Sequence, residues 1–191
     1  MSRPVRPTMV WPPPLPGRVR WAWLLGTRGR GWRLRSLLRL LDGKVPPGAT
    51  VVSVGSGPGF DAARLARRLG PIPVRWVLLD PQRAMWADPR PIDRAAGRAL
   101  HPERIQGDAA DLPLGTASAD VVLSIGALCC MSDAAVPRAV AETGRVLKPG
   151  GFLLFAVPRR RGELDEARWS AAGFARRAGT RPGRGLFQKP L

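Results

Sequence analysis

A chain of 191 residues with a formal net charge of +17, from 31 basic and 14 acidic side chains, has the size of one domain with an appendage. Its hydrophobic fraction of 45% excludes a disordered polybasic tail, and no run approaches the roughly 18 apolar residues of a spanning helix. Two adjacent cysteines, Cys129 and Cys130, and a single histidine, His101, exclude a disulfide framework and a Cys/His zinc cage, so no metal is expected.

The charge divides unevenly along the chain. Residues 1–48 carry ten basic side chains against Asp42 alone, residues 49–157 twelve against ten, and residues 158–191 nine against three. A nearly neutral middle therefore lies between two basic flanks. Only three of the 31 basic residues are lysine, so the excess fits a general Arg, Ala, Gly and Pro bias as readily as a nucleic-acid surface. The opening stretch has no apolar segment of the secretory kind, and the expected location is the cytoplasm.

The first sixteen residues hold six prolines and are expected to be extended or disordered. Residues 18–41 turn to Arg, Trp and Leu, and Trp32, Leu34, Leu37, Leu38 and Leu41 have helical spacing with Arg33, Arg35 and Arg39 on the other face. Such a helix packs across its own domain or lies on an anionic membrane as a peripheral contact; packing is the commoner fate. The division expected is a basic N-terminal segment over 1–48, containing this helix, and a folded domain over 49–191.

From Thr50 onward the texture is regular. Strands are predicted at Thr50–Val54, Val74–Leu79, Arg104–Gln106, Val121–Ile125, Phe152–Val157, Phe174–Thr180 and Gly185–Gln188. Helices are predicted at Asp61–Leu69, over a Pro-interrupted Ala84–Arg98, at Ala135–Leu147 up to the stop signal Pro149-Gly150-Gly151, and at Asp165–Ala172. Alternating strands and helices of these lengths argue an α/β fold, a parallel sheet with helices on both faces and ligands at the carboxyl ends of its strands.

The most informative stretch is V-V-S-V-G-S-G-P-G-F, a strand running into a glycine turn that opens a helix. Glycine suits a sharp turn that must approach a ligand closely. Asp80 ends the next strand, where a carboxylate can accept hydrogen bonds from both ribose hydroxyls. Gln106-Gly107-Asp108-Ala109-Ala110-Asp111-Leu112-Pro113 follows the third. A dinucleotide fingerprint would require glycine where Phe60 stands.

In order, V-V-S-V-G-S-G-P-G, L-L-D-P-Q-R-A-M, Q-G-D-A-A-D-L-P-L and R-V-L-K-P-G-G-F-L-L-F resemble the class I S-adenosylmethionine-dependent methyltransferases, in particular the small stand-alone ubiquinone and menaquinone type. The likeness runs from about Thr50 to Val157. It implies a Rossmann-like, doubly wound, mostly parallel seven-stranded sheet of order 3-2-1-4-5-7-6 with an antiparallel last strand. It also implies S-adenosylmethionine as cofactor. Gly55, Gly57 and Gly59, with Ser56 between them, would line its methionine part; Asp80 would hold the ribose; Asp108 and the Ala109 backbone would read the adenine edge. Pro81 and Met85 would flank the adenine, and Ser124, Ile125 and Gly126 would floor the pocket beside the sulfonium. One position departs: two residues before the first glycine the family commonly has Asp or Glu, and this chain has Ser53, whose hydroxyl offers a neutral hydrogen bond of about half the strength.

Methyl transfer from a sulfonium needs alignment and exclusion of water more than an acid–base group, so no catalytic residue is assigned. His101 precedes the third strand and is a poor base. Asp133 reads as a helix cap as readily as a base. The segment after Ile125 lacks the Asn/Asp-Pro-Pro-aromatic turn of base-amine methyltransferases, and Cys129 and Cys130 lack the proline context of cytosine enzymes; they read as small buried hydrophobes or as lining of the acceptor pocket. The acceptor expected is a small or amphiphilic, lipid-like molecule methylated on O, N or C. RNA or protein gripped by the basic ends, and a non-catalytic binding module, are the alternatives.

Overall fold

In the computed structural model, residues 34–86, 101–157 and 166–191 are described. The Pro-rich opening, Trp21, Trp23 and Trp32, the helix expected after Trp86 and the connection Pro158–Glu163 lie outside the described residues.

Seven strands form one sheet: β1 (Thr50–Val54), β2 (Arg75–Asp80), β3 (Glu103–Gln106), β4 (Ala119–Ile125), β5 (Leu147–Ala156), β6 (Ala175–Arg181) and β7 (Arg184–Gln188). Their order is β3-β2-β1-β4-β5-β7-β6, as the resemblance implies. The first five pair in parallel, and β7 runs antiparallel to both β5 and β6. The sheet is therefore mostly parallel, and its direction of winding reverses between β1 and β4, which is where open α/β sheets bind ligands.

β1 reads as a continuous apolar run because both of its faces are covered. Val52 and Val54 join a cluster with Val77, Leu79, Val122, Leu153 and Phe155 under helix α2 (Val136–Val146). Val51, one pleat over, joins Leu78, Val121, Leu123 and Leu154 under helix α1 (Phe60–Leu69). The period of two thus feeds two cores from one strand. α1 presents Ala62, Ala63, Leu65 and Ala66 to the sheet and Arg67 and Arg68 to solvent.

Residues 34–38 are helical and continue as a 3₁₀ turn, Arg39–Leu41. Leu37, Leu38 and Leu41 are buried in the α1-side core together with Ala156 of β5 and Leu186 of β7. The apolar stripe that the sequence offers to either a membrane or the domain is, over these residues, covered by the domain. Asp42, just beyond, pairs with Arg68 of α1, which holds its carboxyl below the usual carboxylate range. Among the described residues no helix is long and apolar enough to cross a membrane.

β5 begins earlier than the sequence predicts. Pro149-Gly150-Gly151 reads as a stop after the helix, yet the strand runs through it from Leu147. The pairing jumps from Ala119↔Leu147 to Val121↔Phe152, so the intervening residues bulge out of the ladder. Lys148 in the bulge reaches both carboxylate oxygens of Asp120 at 2.8 and 2.9 Å, and Asp120 also accepts the Thr50 N–H at 2.8 Å. A Cβ on Gly151 would lie 2.9 Å from the Lys148 carbonyl oxygen and 3.0 Å from that of Asp120. The motif thus shapes the β4–β5 edge. α2 starts at Val136 behind Ala135, later than Ser132-Asp133 predicts, and the Ser132 carbonyl accepts the Ala135 and Val136 N–H groups at its entry.

Because Leu38 is 1% exposed, Leu38→Ala should lower the unfolding free energy by about 2–5 kcal/mol, while Arg39→Ala on the exposed side should change it by less than ~0.5 kcal/mol. Urea titration of the two variants checks this. Equal, small effects would detach the N-terminal helix from the core.

Candidate cofactor and active site

At the carboxyl end of β1 the chain must reverse onto α1 within a few residues. Gly55 does this at φ +63, and a Cβ there would stand 2.6 Å from the Ala127 Cβ, so the turns after β1 and β4 touch only because position 55 is bare. Gly57, at φ +52, has nothing within 4 Å of where its Cβ would be, and the same holds for Gly126 after β4. The turn is therefore tight on one side and open on the other. Gly59 then serves as the N-cap residue of α1, in a left-handed conformation.

Asp80, the last residue of β2, is 5% exposed. Its Oδ2 accepts the Gly57 N–H at 2.8 Å and its Oδ1 the Gln82 N–H at 2.9 Å. The Ser56 N–H donates to the Leu79 carbonyl at 2.9 Å. Burial pushes the Asp80 carboxyl up, and the two amide bonds pull against it. Each oxygen keeps lone-pair capacity for a further donor, which suits a pair of adjacent hydroxyls.

Ser53, two residues before the first glycine, is 1% exposed and donates its hydroxyl to Asp61 Oδ2 at 2.8 Å, while Asp61 Oδ1 accepts the Ala62 N–H at 2.8 Å. Asp61 is half-buried, and desolvation is the largest influence on its carboxyl, pushing it up against the opposing hydrogen bonds. The sequence marks Ser53 as a place where an acid is missing and gives no hint of Asp61 as its partner. An acid in the first turn of a helix reads as a favourable dipole partner and nothing more.

Pro81 is half-buried, and its carbonyl accepts the Gln106 amide at 3.0 Å, tying the ends of β2 and β3 together. Asp108 follows β3, and its Oδ1 accepts the Ala110 N–H at 2.9 Å. The Ala109 methyl sits in the α2-side core, leaving its backbone as the part available to a ligand. Asp111 is exposed and bridges back to Asp108. Glu142 and Arg145 of α2 clamp the loop beyond: Glu142 accepts the Leu112 N–H at 2.8 Å, and Arg145 donates to the Leu112 and Leu114 carbonyls at 2.9 and 2.8 Å. Ser124 and Ile125 end β4, with Ser124 2% exposed, and the Gly126 N–H is held by the Ala156 carbonyl at 2.7 Å. Cys129 and Cys130 lie half-buried in a 3₁₀ turn, Leu128–Cys130, and both thiols point at the Gly126 carbonyl, at 3.0 and 3.6 Å.

Ser53, Gly55, Ser56, Gly57, Gly59, Asp80, Pro81, Asp108, Ala109, Ser124 and Ile125 thus gather on one edge of the sheet, at the carboxyl ends of β1 to β4. Met85 lies half-buried in a 3₁₀ turn, Arg83–Trp86, just beyond β2. His101 is exposed before the start of β3, at the opposite edge.

A glycine turn fastened to a buried acid at the reversal point of this sheet defines a Rossmann-like domain of the nucleotide-binding type. The N-methyltransferase NodS of Bradyrhizobium japonicum has the same fold, with a TM-score of 0.67 over 85% of this chain and 97% of that one at 17% identity. A family model described as a methyltransferase domain matches residues 51–151, and the chain belongs to that family. Among curated relatives, a probable phthiotriol/phenolphthiotriol dimycocerosates methyltransferase of Mycobacterium ulcerans is 35% identical over 125 residues, 65% of this chain and 45% of that protein. The fatty-acid O-methyltransferase of Mycolicibacterium smegmatis is 33% identical over 128 residues, 65% and 42% of the two chains. The chain spans less than half the length of these relatives. They do not single out the ubiquinone and menaquinone type.

The raised carboxyls have a consequence for stability. Between the unfolded value near 3.8 and the higher folded one, the native state keeps a proton that the unfolded chain has released, so this contribution falls as pH rises and is gone above the folded value. Asp61→Asn keeps the bond from the Ala62 N–H, reverses the other so that the amide nitrogen donates to Ser53 Oγ, and removes the charge. It should raise Tm at pH 7 by about 2–4 °C, as ~1 kcal/mol does in a domain of this size, and by less at pH 4. Thermal melts at the two pH values check the sign; a larger gain at pH 4 would contradict it.

Proposed function

We propose that this chain is an S-adenosylmethionine-dependent methyltransferase whose acceptor is a small or amphiphilic, lipid-like molecule. The observation that carries the cofactor assignment is the buried Asp80 carboxylate fastened to the Gly57 N–H, beside open space over Gly57 and Gly126. The residues fit the group in kind: an acceptor pair for ribose hydroxyls at Asp80, bare backbone at Gly55 to Gly59 for the amino-acid portion, apolar Pro81 and Met85 for a purine face, and Asp108 with the Ala109 backbone for its polar edge. Ser124, Ile125 and Gly126 bound the space where the acceptor would meet the methyl.

When bound, the cofactor supplies an electrophilic methyl on a sulfonium, so the protein contributes alignment and dryness more than acid–base chemistry. A lipid-like acceptor is supported by the names of the curated relatives, which concern dimycocerosates and fatty acids. Some of the C-terminal basic residues already have partners: Arg176 pairs with Glu166 at 2.9 Å and Arg177 donates to Gln188 at 2.8 Å. An RNA-gripping role for that flank is correspondingly less favoured.

Calorimetric titration with S-adenosylmethionine should give a saturable isotherm, and Asp80→Ala should weaken it at least tenfold, about 1.4 kcal/mol or more. No heat at millimolar cofactor would leave only the binding-module reading. Incubation with methyl-labelled cofactor and, in parallel, fatty acids, hydroxylated lipids and RNA should place label in a lipid fraction. Label in RNA that disappears with rising salt would reverse the choice of acceptor.

A further inference from the structure

Ser53, buried, and Asp61, half-buried, form a polar pair that the ribose, adenine and acceptor contacts do not use. They bracket the glycine turn, one two residues before Gly55 and the other two residues after Gly59. The Asp61 carboxyl is met by the Ser53 hydroxyl and the Ala62 N–H, both neutral donors, and among the described residues no lysine or arginine pairs with it. A buried carboxylate served only by neutral donors is electrostatically incomplete, because such donors recover part of the lost hydration and none of the charge. Helix stability does not require this arrangement. An acid in the first turn interacts favourably with the helix dipole while pointing to solvent, yet here the side chain turns in toward the strand.

We infer that Asp61 holds the ammonium end of the cofactor's amino-acid portion, reaching across from α1 to supply the charge that β1 lacks at Ser53. This rests on the cofactor reading under Proposed function. Ser53 is then a positioning residue: its hydroxyl fixes one carboxylate oxygen of Asp61, while the remaining lone pairs accept from the ammonium. A charge-assisted bond is roughly twice as strong as a neutral one, so the acid is restored in substance while its place in the chain moves from the strand to the helix.

The test compares two neutral thioether ligands that share the adenosine and differ in the amino acid: S-adenosylhomocysteine, which has it, and 5′-methylthioadenosine, which does not. By calorimetry, Asp61→Asn should weaken S-adenosylhomocysteine about tenfold or more and leave 5′-methylthioadenosine within about twofold. Ser53→Ala should show the same selectivity with a smaller loss. In the Asp61→Asn background, Ser53→Asp returns a carboxylate to the same place from the strand side and should recover most of the lost affinity; a merely structural role for Asp61 would give no such rescue. If Asp61→Asn and Ser53→Ala weaken both ligands equally, or neither, the assignment of Asp61 is overturned while the cofactor reading stands. If the unaltered protein binds neither ligand, the cofactor reading falls and this inference with it.

Discussion

The bond between the Asp80 carboxylate and the Gly57 N–H is the constraint on which the site depends. A glycine turn has the largest conformational entropy to lose on ordering, and within G-S-G-P-G the side-chain bond that holds it, from the Ser56 hydroxyl to the Gly57 carbonyl, is long at 3.3 Å. The turn is also held from outside, by Asp80 at one oxygen and by the Leu79 carbonyl on the Ser56 N–H. Both anchors sit at the end of β2, which exists as a buried central strand because Trp76 to Leu79 are covered on both faces. The geometry of the ligand edge is thus set by sheet packing several residues away, and the loop itself contributes mainly the absence of side chains. The contact of Gly55 with Ala127 extends the same logic to the β4 side, where the acceptor would arrive.

Charge is arranged on a different principle. Residues 49–157, which build the five parallel strands with α1 and α2, are nearly balanced, and the excess lies on the flanks, one of which supplies β6 and β7. Within the domain the ionic contacts serve geometry: Asp120 takes the Thr50 N–H and Lys148 together, and Glu142 with Arg145 secures the loop after Asp108. These pairs are partly exposed, so each adds little stability on its own; their value lies in fixing where a strand or loop enters. The N-terminal helix shows how a basic amphipathic segment becomes part of a fold. Leu37, Leu38 and Leu41 enter the core shared with α1 and β7, and Arg35 and Arg39 remain outside.

Much of this was legible in the chain. Continuous apolar runs and a period of 3.6 separate β1, α1, β2 and α2 cleanly, and four motifs in the right sequence are enough to imply the strand order. What was not legible depended on contacts between distant backbones. Pro149-Gly150-Gly151 carries every local mark of a stop, and only the anchoring of Lys148 on Asp120, with the Gly151 carbonyl accepting the Lys189 N–H, turns it into a bulge inside a strand. Asp61 was obscured for a related reason. Its local signal belongs to helix initiation, and its pairing with Ser53 appears only once the turn has folded the helix back over the strand.

Asp61 and Asp80 share an electrostatic cost that the proposed cofactor would offset. Both are carboxylates pushed up by burial, both lie where apolar or amide groups would pack at smaller electrostatic penalty, and both flank the bare backbone of the glycine turn. A fold under no other demand would replace them, since neutral isosteres of buried charges are commonly neutral or stabilising. Their presence follows if each is completed by something outside the chain: hydroxyl donors at Asp80, a cation at Asp61. A ligand carrying a ribose at one end and an ammonium at the other satisfies both at once. The unliganded domain then holds two unfinished interactions whose completion favours the bound state by mass action.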